Sequence, residues 1–239
     1  MNIKPYYQSD RATLYVGDAL TVLPSLPTGS ADLVATDPPY GIGFVSDIRT
    51  DKFDKILGDD STDIGASVIE QSIRVLRNGR HLYAFGPWQE TLEQHPQVST
   101  PVQLIWNKAG APGLGNLKTP YGSTHEVLYF VSKNSKKSGR GALSARLRQG
   151  TVLSTPRKAA SKYQHPTEKP VALMRQLIES SSLVGDIVLD PFAGSGSTLV
   201  AAIITGRKAI GIELDEQYAD VIIERLERAE ELAEQIEAA

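Results

Sequence analysis

Cysteine is absent from all 239 residues. That absence excludes a disulfide framework, a thiolate nucleophile and any cysteine-ligated metal. Histidine is scarce, and His81, His95, His125 and His165 lack the paired spacing that metal sites use, so no protein-bound metal is expected. Long apolar runs are missing as well. The opening stretch MNIKPYYQSDRATLYVGD holds no core of signal-peptide length, and LVAAII at 199–204 falls far short of a bilayer span. A cytoplasmic location without membrane contact is the expectation. What remains is ordinary for a globular chain: 41% hydrophobic and 22% charged residues, with enough length for one sizeable α/β domain and too little for two.

The formal net charge of −3 conceals an asymmetry. Between Lys133 and Lys169 ten lysines and arginines face one acid, Glu168, so this window carries +9 and the rest of the chain −12. The window is rich in Ser and Gly and has no sustained helical or strand period, so it reads as an extended loop region. Two readings stand: a solvated surface loop, or a segment that tracks nucleic-acid phosphates through Lys136, Lys137, Arg140, Arg146, Arg148, Arg157 and Lys158.

Elsewhere, short β-rich runs alternate with helical periods. RATLYVGD (11–18), ADLVATD (31–37), HLYAFG (81–86), DIVLD (186–190) and KAIGIEL (208–214) read as strands. Residues 63–77 place Ile64, Val68, Ile69, Ile73, Val75 and Leu76 mostly on one helical face, closed by Asn78-Gly79; 169–182 and 197–206 are further helices. PVQLIWN (101–107) and HEVLYFVSK (125–133) are expected to pair antiparallel. The chain ends in a long helix from about Asp215, whose Tyr218, Ile222, Leu226, Ala229, Ala233 and Ile236 form a stripe suited to a packed cover or a dimer contact. This alternation implies a largely parallel sheet covered on both faces.

Two strand ends carry chemistry. In LVATDPPYGIGF (33–44) an apolar strand stops at one carboxylate, two prolines, an aromatic ring and a glycine. Prolines cannot donate to a sheet, so Asp37, Pro38, Pro39 and Tyr40 form a rigid strand end, and Gly41 lets the chain pass close to a ligand. In LDPFAGSGST (189–198) a buried strand ends at Asp190, and Gly194 and Gly196 open a helix, which brings backbone close to a nucleotide-like ligand. Glu213 ends the next strand nineteen residues after Gly194, where an acid can take both hydroxyls of a ribose. A dinucleotide fingerprint wants Gly or Ala where Leu199 stands, and a phosphate loop wants a lysine the turn lacks. S-adenosyl-L-methionine has no phosphate to cradle and carries an ammonium that Asp190 can face, so it fits best.

DPPY (37–40), HPTEKP (165–170) and DPFAGSGST (190–198), in this order, closely resemble the permuted, or beta-group, bacterial and phage DNA amino-methyltransferases. The likeness extends to the Gly17-Asp18 strand end, GRHLYAF, LIWNK, THEVLYF and GIEL. It implies an α/β, Rossmann-like, seven-stranded S-adenosylmethionine-dependent methyltransferase fold, circularly permuted, with a mostly parallel sheet and an antiparallel strand pair. Residues 1–239 would form one catalytic domain with a basic target-recognition insertion at about 133–164.

The resemblance also implies roles. Asp37, Pro38, Pro39 and Tyr40 would be catalytic: Asp37 and the Pro38 carbonyl accept the two protons of a base's amino group, and Tyr40 stacks on the base after it is flipped out of double-stranded DNA. The cofactor would meet Asp18, Asp37, Thr167, Lys169, Asp190, Phe192, Ala193, Gly194, Ser195, Gly196 and Glu213. Glu168 stands where the family often has Gln, and His125 and His165 read as structural. Carbon-5 methylation of cytosine proceeds through a cysteine adduct, so this chain cannot perform it by that route. Asp at the first DPPY position is associated in the family mostly with N6-adenine and Ser with N4-cytosine. The expectation is therefore N6-adenine methylation of DNA. N4-cytosine or RNA methylation, or an inactive cofactor and DNA binder, are the alternatives. A homodimer and a cognate restriction endonuclease are the partners left open.

Overall fold

The computed structural model describes residues 3–39, 62–110, 122–134, 150–156 and 168–237. Its strands are β1 Tyr7–Gln8, β2 Ala12–Val16, β3 Ala31–Thr36, β4 Leu76–Phe85, β5 Val102–Asn107, β6 His125–Ser132, β7 Val152–Ser154, β8 Ile187–Asp190 and β9 Lys208–Glu213. Its α-helices are α1 Ala19–Val22, α2 Thr62–Val75, α3 Gln89–Gln94, α4 Val171–Ser181, α5 Ser197–Ile204 and α6 Glu216–Glu237. Among the described residues no helix is long and apolar enough to cross a membrane.

The strands form one sheet in the order β1-β2-β9-β8-β3-β4-β6-β5-β7. β2, β9, β8, β3 and β4 run parallel, and β6 is reversed against both β4 and β5. The expected antiparallel pair is therefore present as β5 and β6, with Trp106 opposite Glu126. Seven strands make the body of the sheet, and two short edge strands, β1 on β2 and β7 on β5, extend it. β7 lies inside the basic window, so three of those residues are sheet rather than loop.

Strand alternation divides the core into two layers. Leu33 and Ala35 of β3, Tyr83 and Phe85 of β4, Leu128 of β6 and Val188 of β8 pack towards α4, α5 and α6. Val34, Leu82, Ala84, Tyr129 and Leu189 pack towards α1, α2 and α3. Every residue of β3 is buried, as a central parallel strand covered on both faces requires. Burying one such large aliphatic side chain contributes about 1.5–3 kcal/mol, so the middle of the sheet is a rigid platform for whatever its edges carry. The acidic helix α6 buries Ala219, Ile222, Leu226, Ala229 and Ala233, which makes it a packed cover; Ile236 at its end is exposed.

Two local expectations are corrected. The helix over 63–77 stops at Val75 instead of being closed by Asn78-Gly79, because Leu76 already pairs with Ala31 and the chain enters β4 through an irregularity before His81 pairs with Leu33. Lys133 is no loop cation. It is buried, and its ammonium donates to the carbonyls of Arg74 (3.1 Å) and Leu76 (2.7 Å) at the end of α2. His81 is structural, its ring bonded to the Ser181 hydroxyl at 2.9 Å, and burial pushes its pKa down to about 4.

Candidate active site

The carboxyl ends of β2, β9, β8, β3 and β4 all lie at one edge of the sheet, and antiparallel β6 begins there while β5 ends there. Alternation continued along these strands puts Asp37 (after Leu33 and Ala35), Asp190 (after Val188), Glu126 (before Leu128) and Lys108 (after Trp106) on the α4 side of that edge. Ligands of open α/β sheets bind outside the carboxyl ends of the strands, so two motifs far apart in the chain meet at one place.

On the β8 side, Asp190 ends the strand and receives the Phe192 N–H at 3.1 Å. Burial pushes the Asp190 carboxyl up to about 7; the Thr198 hydroxyl and the Phe192 N–H pull it down, and the negative charge of Asp37 adds to the rise. Beside it the Thr36 hydroxyl is buried without a hydrogen bond of full geometry, yet near enough to Asp190 to help pull its carboxyl down. The turn that follows is tied down. Ala193 N donates to Ile212 O (2.9 Å), and Gly194 N to Glu213 Oε2 (2.7 Å). Gly196 opens α5 with φ +78, and a Cβ there would also lie 3.2 Å from Ile222, so only glycine suits both the backbone and the packing. Leu199, the residue that breaks a dinucleotide fingerprint, lies against Gly211 of β9, where a Cβ would come within 2.5 Å of Leu199 Cδ1. The close helix–strand approach is kept, with its glycine on the strand.

Glu213 also accepts the Asp215 N–H at 2.9 Å, and burial outweighs these bonds to raise its pKa. The backbone N–H groups of Gly194, Leu214 and Asp215 act on this carboxylate, and its two oxygens still keep room for a further donor. Asp18, at the end of neighbouring β2, caps α1 by accepting the Leu20 N–H at 2.9 Å, and Gly17 N bonds to Glu213 O at 2.8 Å. Phe192 is partly buried on the α2 side of the core, and Ala193 and Ser195 are buried.

On the β3 side, Asp37 and the two prolines leave the sheet beside β4. The Asp37 carboxylate pairs with Lys169, which arrives just before α4. The same ammonium lies 3.3 Å from Glu126 Oε2 and 5.0 Å from the centre of the Phe85 ring. Glu126 is held in turn by Lys108, 2.9 Å from its Oε1. Burial works against the Lys169 ammonium, but Asp37 and Glu126 outweigh it and raise its pKa above the ordinary lysine value. Burial likewise opposes the Glu126 carboxylate, and Lys169 and Lys108 overcome it to lower its pKa.

A wedge supports the prolines. Trp88 is buried after β4, its indole N–H donating to Phe85 O at 2.7 Å, and its ring lies on Gly65 of α2. A Cβ at Gly65 would overlap that ring and lie 3.0 Å from the Pro39 carbonyl oxygen. Helix propensity alone says that Gly65→Ala stabilises by about 1 kcal/mol. Overpacking costs about 1–3 kcal/mol, so the expected net result is a lower melting temperature and shifted tryptophan fluorescence; a melting temperature above wild type would show that the wedge yields freely.

Tyr40, Gly41, Thr167, His165 and the basic set Lys136, Lys137, Arg140, Arg146, Arg148, Arg157 and Lys158 lie outside the described residues. Four residues that motif reading passes over belong to this edge: Lys108, Glu126, Trp88 and Arg225. Arg225 of α6 donates to Ser195 O (2.6 Å) and pairs at 3.3 Å with Glu168, whose side chain is buried. Glu168 therefore braces the glycine turn through Arg225. Lys108 and Glu126 fall within LIWNK and THEVLYF, which carry the resemblance without giving either residue a role; Arg225 shows in the sequence only as a charge on a helix and Trp88 as an aromatic after a strand.

Comparison with known proteins agrees with this geometry. Residues 31–224 match the family of N6 and N4 DNA methylases. The DNA adenine methyltransferase YhdJ of Escherichia coli (strain K12) is 32% identical over 266 residues, covering 95% of this chain and 88% of that protein. Among solved structures, the Thermus thermophilus protein TTHA0409 in complex with S-adenosyl-L-methionine superposes with a TM-score of 0.65 at 26% identity, covering 92% of this chain and 96% of its own. The cytosine-N4-specific PvuII DNA methyltransferase shares the fold, with a TM-score of 0.67 at 19% identity over 98% of this chain and 95% of its own. With a motif-bearing sheet edge of this construction and a match over most of its length, the chain belongs to the N6/N4 DNA methylase family.

Proposed function

We propose that the protein methylates the N6 amine of adenine in double-stranded DNA, with S-adenosyl-L-methionine as the methyl donor. The observation that carries the reading is the convergence of Asp37 and Asp190 from adjacent strands, close enough for the charge of one to raise the pKa of the other. The turn suits that cofactor: it offers a buried carboxyl, the buried hydroxyl of Thr36 and a ribose-type acid in Glu213, and no lysine for a phosphate. When bound, the cofactor supplies an electrophilic methyl group on a sulfonium.

The chain's own residues do the rest. An adenine amine is a poor nucleophile, because its lone pair is delocalised into the ring. Asp37 accepts one amino proton as a hydrogen bond and the Pro38 carbonyl accepts the other, which draws the nitrogen towards a pyramidal geometry with its lone pair aimed across the edge. Extruding the base costs a few kcal/mol, and a stacked aromatic offsets about 1–3 kcal/mol of it; Tyr40 is the ring proposed. Asp190 faces the cofactor ammonium, Glu213 holds the ribose, and Asp18, Thr167, Lys169, Phe192, Ala193, Gly194, Ser195 and Gly196 complete the proposed contacts. Adenine is preferred to cytosine because position 37 is Asp, the residue associated with N6-adenine in the resemblance, and the similar YhdJ is named an adenine methyltransferase.

The test is methyl transfer from tritium-labelled S-adenosyl-L-methionine to DNA from a methylation-deficient host, followed by nucleoside analysis. Label in N6-methyldeoxyadenosine is expected. Label in N4-methyldeoxycytidine would overturn the adenine assignment, and no label in any DNA would overturn the function. The basic residues of the insertion, about 133–164, are proposed to track phosphates. Replacing Arg146, Arg148 and Arg157 by Gln together is expected to flatten the slope of log affinity against log salt by about 0.9 for every phosphate no longer neutralised; an unchanged slope would show a solvated loop.

A further inference from the structure

Lys108, Glu126, Lys169 and Asp37 form a row of alternating charge along the sheet edge, drawn from β5, β6, the approach to α4 and β3. The row is shielded from water at both lysines, with side-chain exposures of 10% each, and Glu126 uses both oxygens within it, Oε1 towards Lys108 and Oε2 towards Lys169. A lysine head on a four-carbon stem is poorly fixed by one partner. Here the Lys169 ammonium is bounded by Asp37, by Glu126 and by the face of Phe85. Glu126 is itself clamped from its far side by Lys108.

We propose that Glu126 is the positioning residue of the transfer step: clamped by Lys108, it fixes the Lys169 ammonium against Asp37 and so holds the Asp37 carboxylate in its working orientation. The inference rests on the reading of Asp37 as acceptor of the base's amino proton, and it adds a role for a residue outside the DPPY and glycine-turn motifs. Among the described residues, Glu126 is linked to Asp37 through Lys169. A displacement of about 1 Å at a reacting group is enough to cost roughly 100-fold in rate, so the loss of one boundary of the Lys169 head should appear in turnover. Lys169 is also among the proposed cofactor contacts; if Glu126 acted through that contact alone, its loss would change cofactor affinity and leave turnover intact.

Glu126→Gln preserves size and removes the charge. In the full-length protein, with label transfer to DNA as readout, kcat is expected to fall roughly 10- to 100-fold, while KM and calorimetric Kd for S-adenosyl-L-methionine stay within about threefold of wild type. Lys108→Gln is expected to reduce kcat by a smaller factor, and the double variant to match Glu126→Gln alone, because Lys108 acts through Glu126. Wild-type kcat in Glu126→Gln, a change confined to KM and Kd, or multiplicative losses in the double variant would each overturn the proposal. If Glu126→Gln fails to fold, Lys108→Gln decides: reduced kcat at unchanged KM supports it, and unchanged kcat overturns it. Failure of the wider reading is distinct, since then the wild-type protein itself transfers no label, and the proposal falls with it.

Discussion

Asp37→Ala is expected to lower methyl transfer by a factor of about 1,000 or more while the protein still binds S-adenosyl-L-methionine. Loss of a single preorganised electrostatic partner of a transition state costs about 100- to 1,000-fold, and Asp37 carries a second burden, since it is the nearer of the two carboxylates around a buried ammonium. In the alanine variant Lys169 is left to Glu126, and its head is drawn away from the end of β3. Binding persists because Asp190, Glu213 and the glycine turn stand on β8 and β9 and are fixed by bonds that do not pass through Asp37. Asp37→Asn should recover part of the loss in stability and little of the rate, because one of its two head atoms becomes a donor where the base also offers donors. Calorimetric binding of the cofactor alongside single-turnover label transfer checks both halves. A variant that turns over within tenfold of wild type would remove Asp37 from the chemistry.

How far the sequence reveals this site depends on whether the information is local. Asp37 with its prolines and Asp190 with its glycines are legible because each motif is continuous and its geometry is set by its own residues: proline ends a strand, and glycine permits the φ of +78 found at Gly196. The antiparallel β5 and β6 are legible for the same reason, being two β-rich runs joined by a Gly- and Pro-rich connection. The Lys108–Glu126–Lys169 row is not legible, since alternation within a strand tells which face a residue occupies but not which strand lies next to it. The order β3-β4-β6-β5 is a tertiary fact. Charge counting fails in the basic window for a related reason: composition treats Lys133 and Lys169 as loop cations, whereas one ties α2 to β4 and the other meets Asp37. The glycine that Leu199 requires is likewise on another element, Gly211 of β9, and no local pattern pairs the two.

Cofactor affinity is expected to rise about tenfold per pH unit from 6 towards 7, level off, and fall again above about 8. The acid limb comes from Asp190, whose carboxyl burial pushes up to about 7. In the unliganded protein it is largely protonated below that value, and facing an ammonium requires it to ionise, so binding at pH 6 releases a proton. The upper limb comes from the ligand's own α-amino group, which loses its proton at about 7.7–8.0. Stability of the free protein runs the other way. A carboxyl with a folded pKa above its unfolded value contributes stability that is complete below about 4 and is lost as pH rises through 7, an amount on the order of 4 kcal/mol. The cofactor should therefore raise the melting temperature more at pH 7.5 than at pH 6. Calorimetry in two buffers of different ionisation enthalpy measures the released proton directly, and Asp190→Asn should bind weakly with no acid limb. Because the charge of Asp37 helps raise Asp190, Asp37→Ala should move the acid limb to lower pH, which ties the two strand ends together in one titration. A wild-type affinity that stays constant between pH 6 and 7.5 would mean that Asp190 does not face the ammonium.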